Sequence, residues 1–192
     1  MVLPQLIEKL LKALLINYMN KTFSHLRVSS EYSITQGLLT INQLVECAKK
    51  HSVPSLALTD KSNMFAMVKF FSKCEAQGIK PISGSSLKVI FDEDDTSHEL
   101  LLLAKNNNGH KNLMKVISNA HNNFKYQNPI ISFKDLQEFK DDVIAISGGK
   151  DSHLFELIKR KKNNEVLNRI DKFLKIFKDD FFIKVQKTNI SD

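Results

Sequence analysis

From residue 23 onward, short apolar runs alternate with longer stretches in which apolar residues recur every three or four positions. The first pattern predicts buried strands and the second predicts helices with one face on a core. Strands are expected over 23–28, 54–60, 80–82, 87–91, 100–103, 143–147 and 181–185. Helices are expected after Thr40, carrying Ile41, Leu44, Val45 and Ala48 inward, and after Asn63, burying Met67, Val68, Phe70, Phe71 and Cys74 in part. Thr40 and Asn63 are capping residue types, and Gly78 suits the end of the second helix. Further helices are expected over 109–120, 152–160 and 166–177, with a loop around Asn128-Pro129, an acidic turn at Asp92–Asp95 and a turn at Gly148-Gly149. Apolar strands separated by amphipathic helices indicate βα units with parallel strands, hence an α/β sheet or barrel. No internal repeat or low-complexity segment interrupts this order.

The first 22 residues stand apart. Leu6, Ile7, Leu10, Leu11, Leu14 and Leu15 fall at helical spacing, with Glu8, Lys9 and Lys12 between them. That is an amphipathic helix. Its charges break the apolar stretch and no small-residue cleavage site follows, so a secretory signal is not expected. Packing on this protein or a partner is the first reading and a membrane surface the second. The chain therefore divides into an extension over 1–22 and a domain over 23–192, and Met19 could itself be a start.

Composition narrows the class. The 192 residues are 42% hydrophobic and 26% charged, which suits one globular domain with a sizeable core. No apolar run reaches the length of a membrane span. The two cysteines, Cys47 and Cys74, lack metal-type spacing and read as core residues of a reducing, cytoplasmic protein. The net charge of +7 is uneven: residues 150–187 hold 11 Lys or Arg against 6 Asp or Glu, whereas residues 23–149 hold 14 against 13. Lysine-rich solvated helix faces account for this; weak, sequence-independent DNA binding is the sharper alternative.

In parallel α/β folds, working residues sit beyond the carboxyl ends of strands. Four places qualify: Arg27 to Gln36, Asp60 to Asn63, Gly84 to Ser86, and Gly148 to Lys150. Asp60 is the residual catalytic candidate, with loop capping as its competing role. His51, His110, His121 and His153 are dispersed, and Asp92–Asp95 reads as a solvated turn.

Within these places, His25-Leu-Arg-Val-Ser-Ser-Glu-Tyr-Ser…Gly37 resembles the opening of the PHP (polymerase and histidinol phosphatase) domain of bacterial DNA polymerase III alpha subunits. Leu58-Thr-Asp-Lys-Ser-Asn-Met64 and Gly78-Ile-Lys-Pro-Ile-Ser-Gly84 resemble two further motifs of that domain. Leu102-Leu-Ala-Lys-Asn-Asn-Asn-Gly-His-Lys-Asn-Leu113 and Ala145-Ile-Ser-Gly-Gly149 continue the match in order. The resemblance covers about residues 22–190. It implies a distorted barrel of about seven βα units, here incomplete and preceded by the amphipathic helix. In active members it also implies up to three metal ions at the C-terminal face, serving phosphoester cleavage.

By the same resemblance, the ligand positions fall on Arg27, Ser29, Gln36, Lys61, Ser86, Glu99 and Gly149. Most of these carry no metal-binding side chain, and Arg27 and Lys61 put positive charge where cations would bind. The expectation is a PHP segment of a replicative polymerase subunit without catalysis or cofactor. It would brace the polymerase core and dock the proofreading exonuclease subunit. The alternatives are a free-standing PHP phosphoesterase with ligands rearranged around Asp60, His98 and Glu99, and a truncated product without function.

Overall fold

The computed structural model describes residues 23–34, 36–91, 96–122, 128–149 and 152–185. The expected amphipathic helix, the acidic turn Asp92–Asp95 and Lys150 lie outside the described residues.

The first described helix, α1 (Ile41–Lys50), starts where capping chemistry dictates. Thr40 accepts from the Gln43 amide, and the Gln43 side chain accepts from the Thr40 amide in return. It buries Ile41, Leu44, Val45 and Ala48. Strand β1 (Ser55–Leu58) follows, then α2 (Met67–Ala76), which ends at Gly78 with φ +69°. Beyond come β2 (Lys80–Ile90), β3 (His98–Ala104), α3 (Asn107–Asn122), β4 (Ile130–Ser132) and the single turn α4 (Phe133–Leu136). The chain closes with β5 (Val143–Ser147), α5 (His153–Lys159), α6 (Asn163–Phe177) and β6 (Phe181–Phe182).

The six strands form one mixed sheet in the order β1-β2-β3-β5-β6, with β4 also on β2. The α/β class holds, but uniformly parallel strands do not. β1 and β4 run parallel to β2, and β6 runs parallel to β5, whereas β3 is antiparallel to both β2 and β5. Only a short connection joins β2 to β3, too short for the crossover that a parallel pair requires.

Several boundaries also move. The expected strands at 80–82 and 87–91 are one continuous strand, so Gly84 to Ser86 lie mid-strand rather than at a strand end. The expected first strand reduces to a single parallel bridge between His25 and Leu56, and the last to two residues. The loop around Asn128-Pro129 leads directly into β4. Asn63 does not cap α2. Its Oδ1 accepts from the Phe65 amide, and its amide group donates to the carbonyls of Tyr32 and Lys61. Val68 is 85% exposed rather than partly buried.

Alternation along the strands builds two different sheet faces. Leu87, Val89, Leu100, Leu102, Val143 and Ala145 point into a core completed by α3 and α6. A second core joins α1, β1 and α2 through Ile41, Leu44, Leu56, Leu58, Met67 and Phe70. The opposite sheet face carries Ser86, Glu99, Leu101, Leu103, Ile144 and Ile146, with Glu99 toward one end and Leu103 and Ile144 toward the other. The candidate site lies at the first end.

Candidate functional site

The loop after His25 is fastened to β1 by backbone hydrogen bonds. The Ala57 amide donates to the His25 carbonyl and the Thr59 amide to the Val28 carbonyl. Thr59 Oγ1 accepts from the Val28 amide and donates to its carbonyl. This fixes where Arg27 emerges.

Arg27 reaches across to β3. One guanidinium nitrogen donates to both Glu99 oxygens, at 2.6 and 2.8 Å. Ser86, from β2, donates its hydroxyl to the same carboxylate. Glu99 lies diagonally across the antiparallel pair from Ser86, on the same face. Gly148, at the end of β5, lets the strands approach here: a Cβ on it would stand 2.4 Å from the Glu99 carbonyl oxygen. Arg27, Ser86 and Glu99 thus form a self-satisfied ion-pair cluster, partly shielded from water.

Asp60 forms the second centre. It is fully buried at the end of β1. Its carboxylate accepts from the Ser30 amide and the Ser30 hydroxyl, both at 2.7 Å, and from the Ser33 hydroxyl at 2.6 Å. Its carbonyl accepts from the Ser85 hydroxyl and the Ser86 amide. These donors occupy both carboxylate oxygens. Gly37 closes the loop, with its Cβ position only 1.8 Å from the Ser30 carbonyl oxygen, so no side chain fits there. Asp60 therefore locks the loop over 30–37 against the strand ends.

The remaining positions do not join these centres. Ser29 is half-buried, and Gln36 is exposed at the loop's turn. Lys61 is exposed and meets Ser86 through a backbone bridge. Gly149 is buried at φ +67°, and its carbonyl accepts from the Ser152 hydroxyl. His98 precedes Glu99 on the strand and so projects to the other face, where its ring lies 4.4 Å from that of His153. Asp60, His98 and Glu99 consequently do not converge. Among the described residues, no three His, Cys, Asp or Glu side chains are grouped so as to hold a metal ion. The donor set does not fit the metal centre that the resemblance implies: its one exposed-side carboxylate, Glu99, already holds a guanidinium.

Sequence reasoning missed Ser30, Ser33 and Ser85, the residues that satisfy Asp60. Their signal was available in the recurrence of serine within the places singled out above. Cys74 is no nucleophile: burial, with Glu75 beside it, pushes its thiol up to about 11. A cavity of about 1100 Å³ opens on the same sheet face, where Leu26, Phe71, Leu103, Ile144, Ile146 and Phe182 line it.

The PHP domain family matches residues 25–188. The DNA polymerase III subunit alpha of Borreliella burgdorferi is 34% identical over 179 residues, covering 88% of this chain and 16% of that protein. Those of Vibrio cholerae and Escherichia coli are each 34% identical, over 172 and 173 residues, covering 88% of this chain and 15% of theirs. The chain thus spans about a sixth of the length of these curated relatives.

Proposed function

This chain belongs to the PHP domain family, and from that premise we propose that it serves a replicative DNA polymerase III alpha subunit as a non-catalytic segment. It braces the polymerase core and docks the proofreading exonuclease subunit. The observation that carries this reading is the Arg27–Glu99–Ser86 cluster. A guanidinium lies against the carboxylate at the strand ends where the active family gathers metal ligands, and Asp60 is engaged entirely in holding the 30–37 loop. Chemistry has been traded for internal bonding while the strands and loops that frame the site remain. The polymerase context is supported by the relatives' identity as DNA polymerase III alpha subunits. A distorted barrel of about seven βα units, with residues 1–22 as an extension outside it, belongs to the same proposal.

Two measurements test it together. Protein purified without chelator is expected to carry well under one equivalent of zinc or manganese by elemental analysis. Calorimetric titration with the exonuclease subunit is expected to give an affinity that survives moderate salt, as apolar docking does. A full equivalent of tightly held metal would restore the phosphoesterase reading. No measurable exonuclease-subunit affinity would remove the docking role.

A further inference from the structure

The chain enters the described fold beside the cavity of about 1100 Å³. Ser24 Oγ lies 2.5 Å from Ser55 Oγ, and Ser55 lines that cavity. Leu26, two residues on, lines it as well and is 41% exposed. Another wall is the outer side of α2, where Val68, Phe71, Ser72 and Glu75 follow one another at helical spacing. Val68 is 85% exposed and Phe71 half-buried, so this wall keeps apolar surface uncovered among the described residues. The lining also includes Glu75 and Lys80, one exposed charge of each sign. None of these residues belongs to the Arg27–Glu99 cluster.

We infer that the amphipathic segment within residues 1–22 lies across the mouth of this cavity in its own chain, with its leucines against Leu26 and the α2 wall. Read as a helix, Leu6, Ile7, Leu10, Leu11, Leu14 and Leu15 spread over more than half of its circumference, and Glu8, Lys9 and Lys12 take the remainder. So wide an apolar arc has to be covered, and the segment ends where uncovered apolar surface begins. A helix over Leu3–Leu15 is about 20 Å long, enough to run the length of α2 at about 15 Å. Residues 16–22 reach up to about 25 Å when extended, so the tether allows either direction along that wall. Glu8 and Lys12 stand one turn apart and match Lys80 and Glu75 of the cavity in sign. A membrane surface suits the segment less well, because only two lysines and one glutamate occupy its polar side. A second copy is the weaker competitor: a short tether sets an effective concentration of about millimolar, above that of the free protein. At high protein concentration the same contacts can be exchanged between copies.

The chain has no tryptophan, so L11W places a single fluorescent reporter in the segment. In the 192-residue protein its emission is expected to be blue-shifted, and its quenching by acrylamide severalfold weaker than in a peptide of residues 1–22 carrying the same change. L15W supplies an independent second reporter. V68E/S72E puts charge on the α2 wall at two exposed positions and is expected to return quenching to the level of the peptide. L26E is expected to do the same from the other wall, and circular dichroism establishes that each variant folds. Protection is expected to persist on dilution, because the contact is made within one chain. Quenching of the reporter as strong as in the free peptide would overturn the inference. So would protection that survives both V68E/S72E and L26E, which places the segment on another face. Protection lost on dilution would assign the segment to a neighbouring copy, and protection that appears only with anionic lipid vesicles would assign it to a membrane surface; either result overturns the inference.

Discussion

A single side chain decides the character of the strand-end site. Arg27 spends its guanidinium on both oxygens of Glu99, and Ser86 adds a third donor. Neither charge is fully exposed, so removing one leaves the other without compensation in a partly dry setting. Arg27→Ala is therefore expected to destabilise the fold by about 1–3 kcal/mol, the cost of stranding a partly buried acceptor. Arg27→Ala/Glu99→Gln should cost less than the two single changes added together, because the second change removes the stranded charge. Denaturant titration of the four proteins checks this, and strict additivity would mean that the pair carries no coupling. Arg27 was singled out in the sequence as a strand-end residue; its partner was not legible there. Glu99 lies 72 positions away, and nothing in spacing reveals that a loop residue and a strand residue meet.

At the scale of elements, the helices were easier to read than the strands. Capping chemistry and apolar spacing in the sequence suffice to locate α1, with Thr40 and its four inward residues. Strand direction and continuity were not legible, because period-two patterns carry no sign and because small polar residues mid-strand look like a turn. Gly84-Ser85-Ser86 is the instructive case. The serines are buried, but their hydroxyls are satisfied by the Asp60 carbonyl and the Glu99 carboxylate, so polar residues sit inside β2 without penalty. Gly84 permits the crowding: a Cβ there would lie 2.7 Å from the Leu102 carbonyl oxygen and 2.9 Å from Thr59 Cγ2. Gly84→Ala is accordingly expected to cost about 1–3 kcal/mol by overpacking. The denaturant midpoint should fall with an unchanged slope, since the exposed surface on unfolding is the same. An unaltered midpoint would argue against a tightly paired β2.

The molecule as a whole presents two unlike sheet faces. One is sealed by α3 and α6, whereas the other leaves Ile144 and Ile146 half-buried and Leu26 and Phe182 at 41% and 52% exposure around the large cavity. Contiguous apolar surface of this kind drives association. The 192-residue chain is expected to sediment as concentration-dependent oligomers, and Ile146→Glu to shift it toward monomer without loss of helical signal. A wild-type chain that stays monomeric at all accessible concentrations would contradict this. The Arg27–Glu99 pair has a consequence at this scale too. A metal centre must be loaded after synthesis, competes for supply with every other metalloprotein, and can be emptied by a chelator. A guanidinium built into the chain arrives with translation, at fixed stoichiometry and with no exchange. The Arg27–Glu99 clamp itself therefore forms with the fold and needs no ion to hold it.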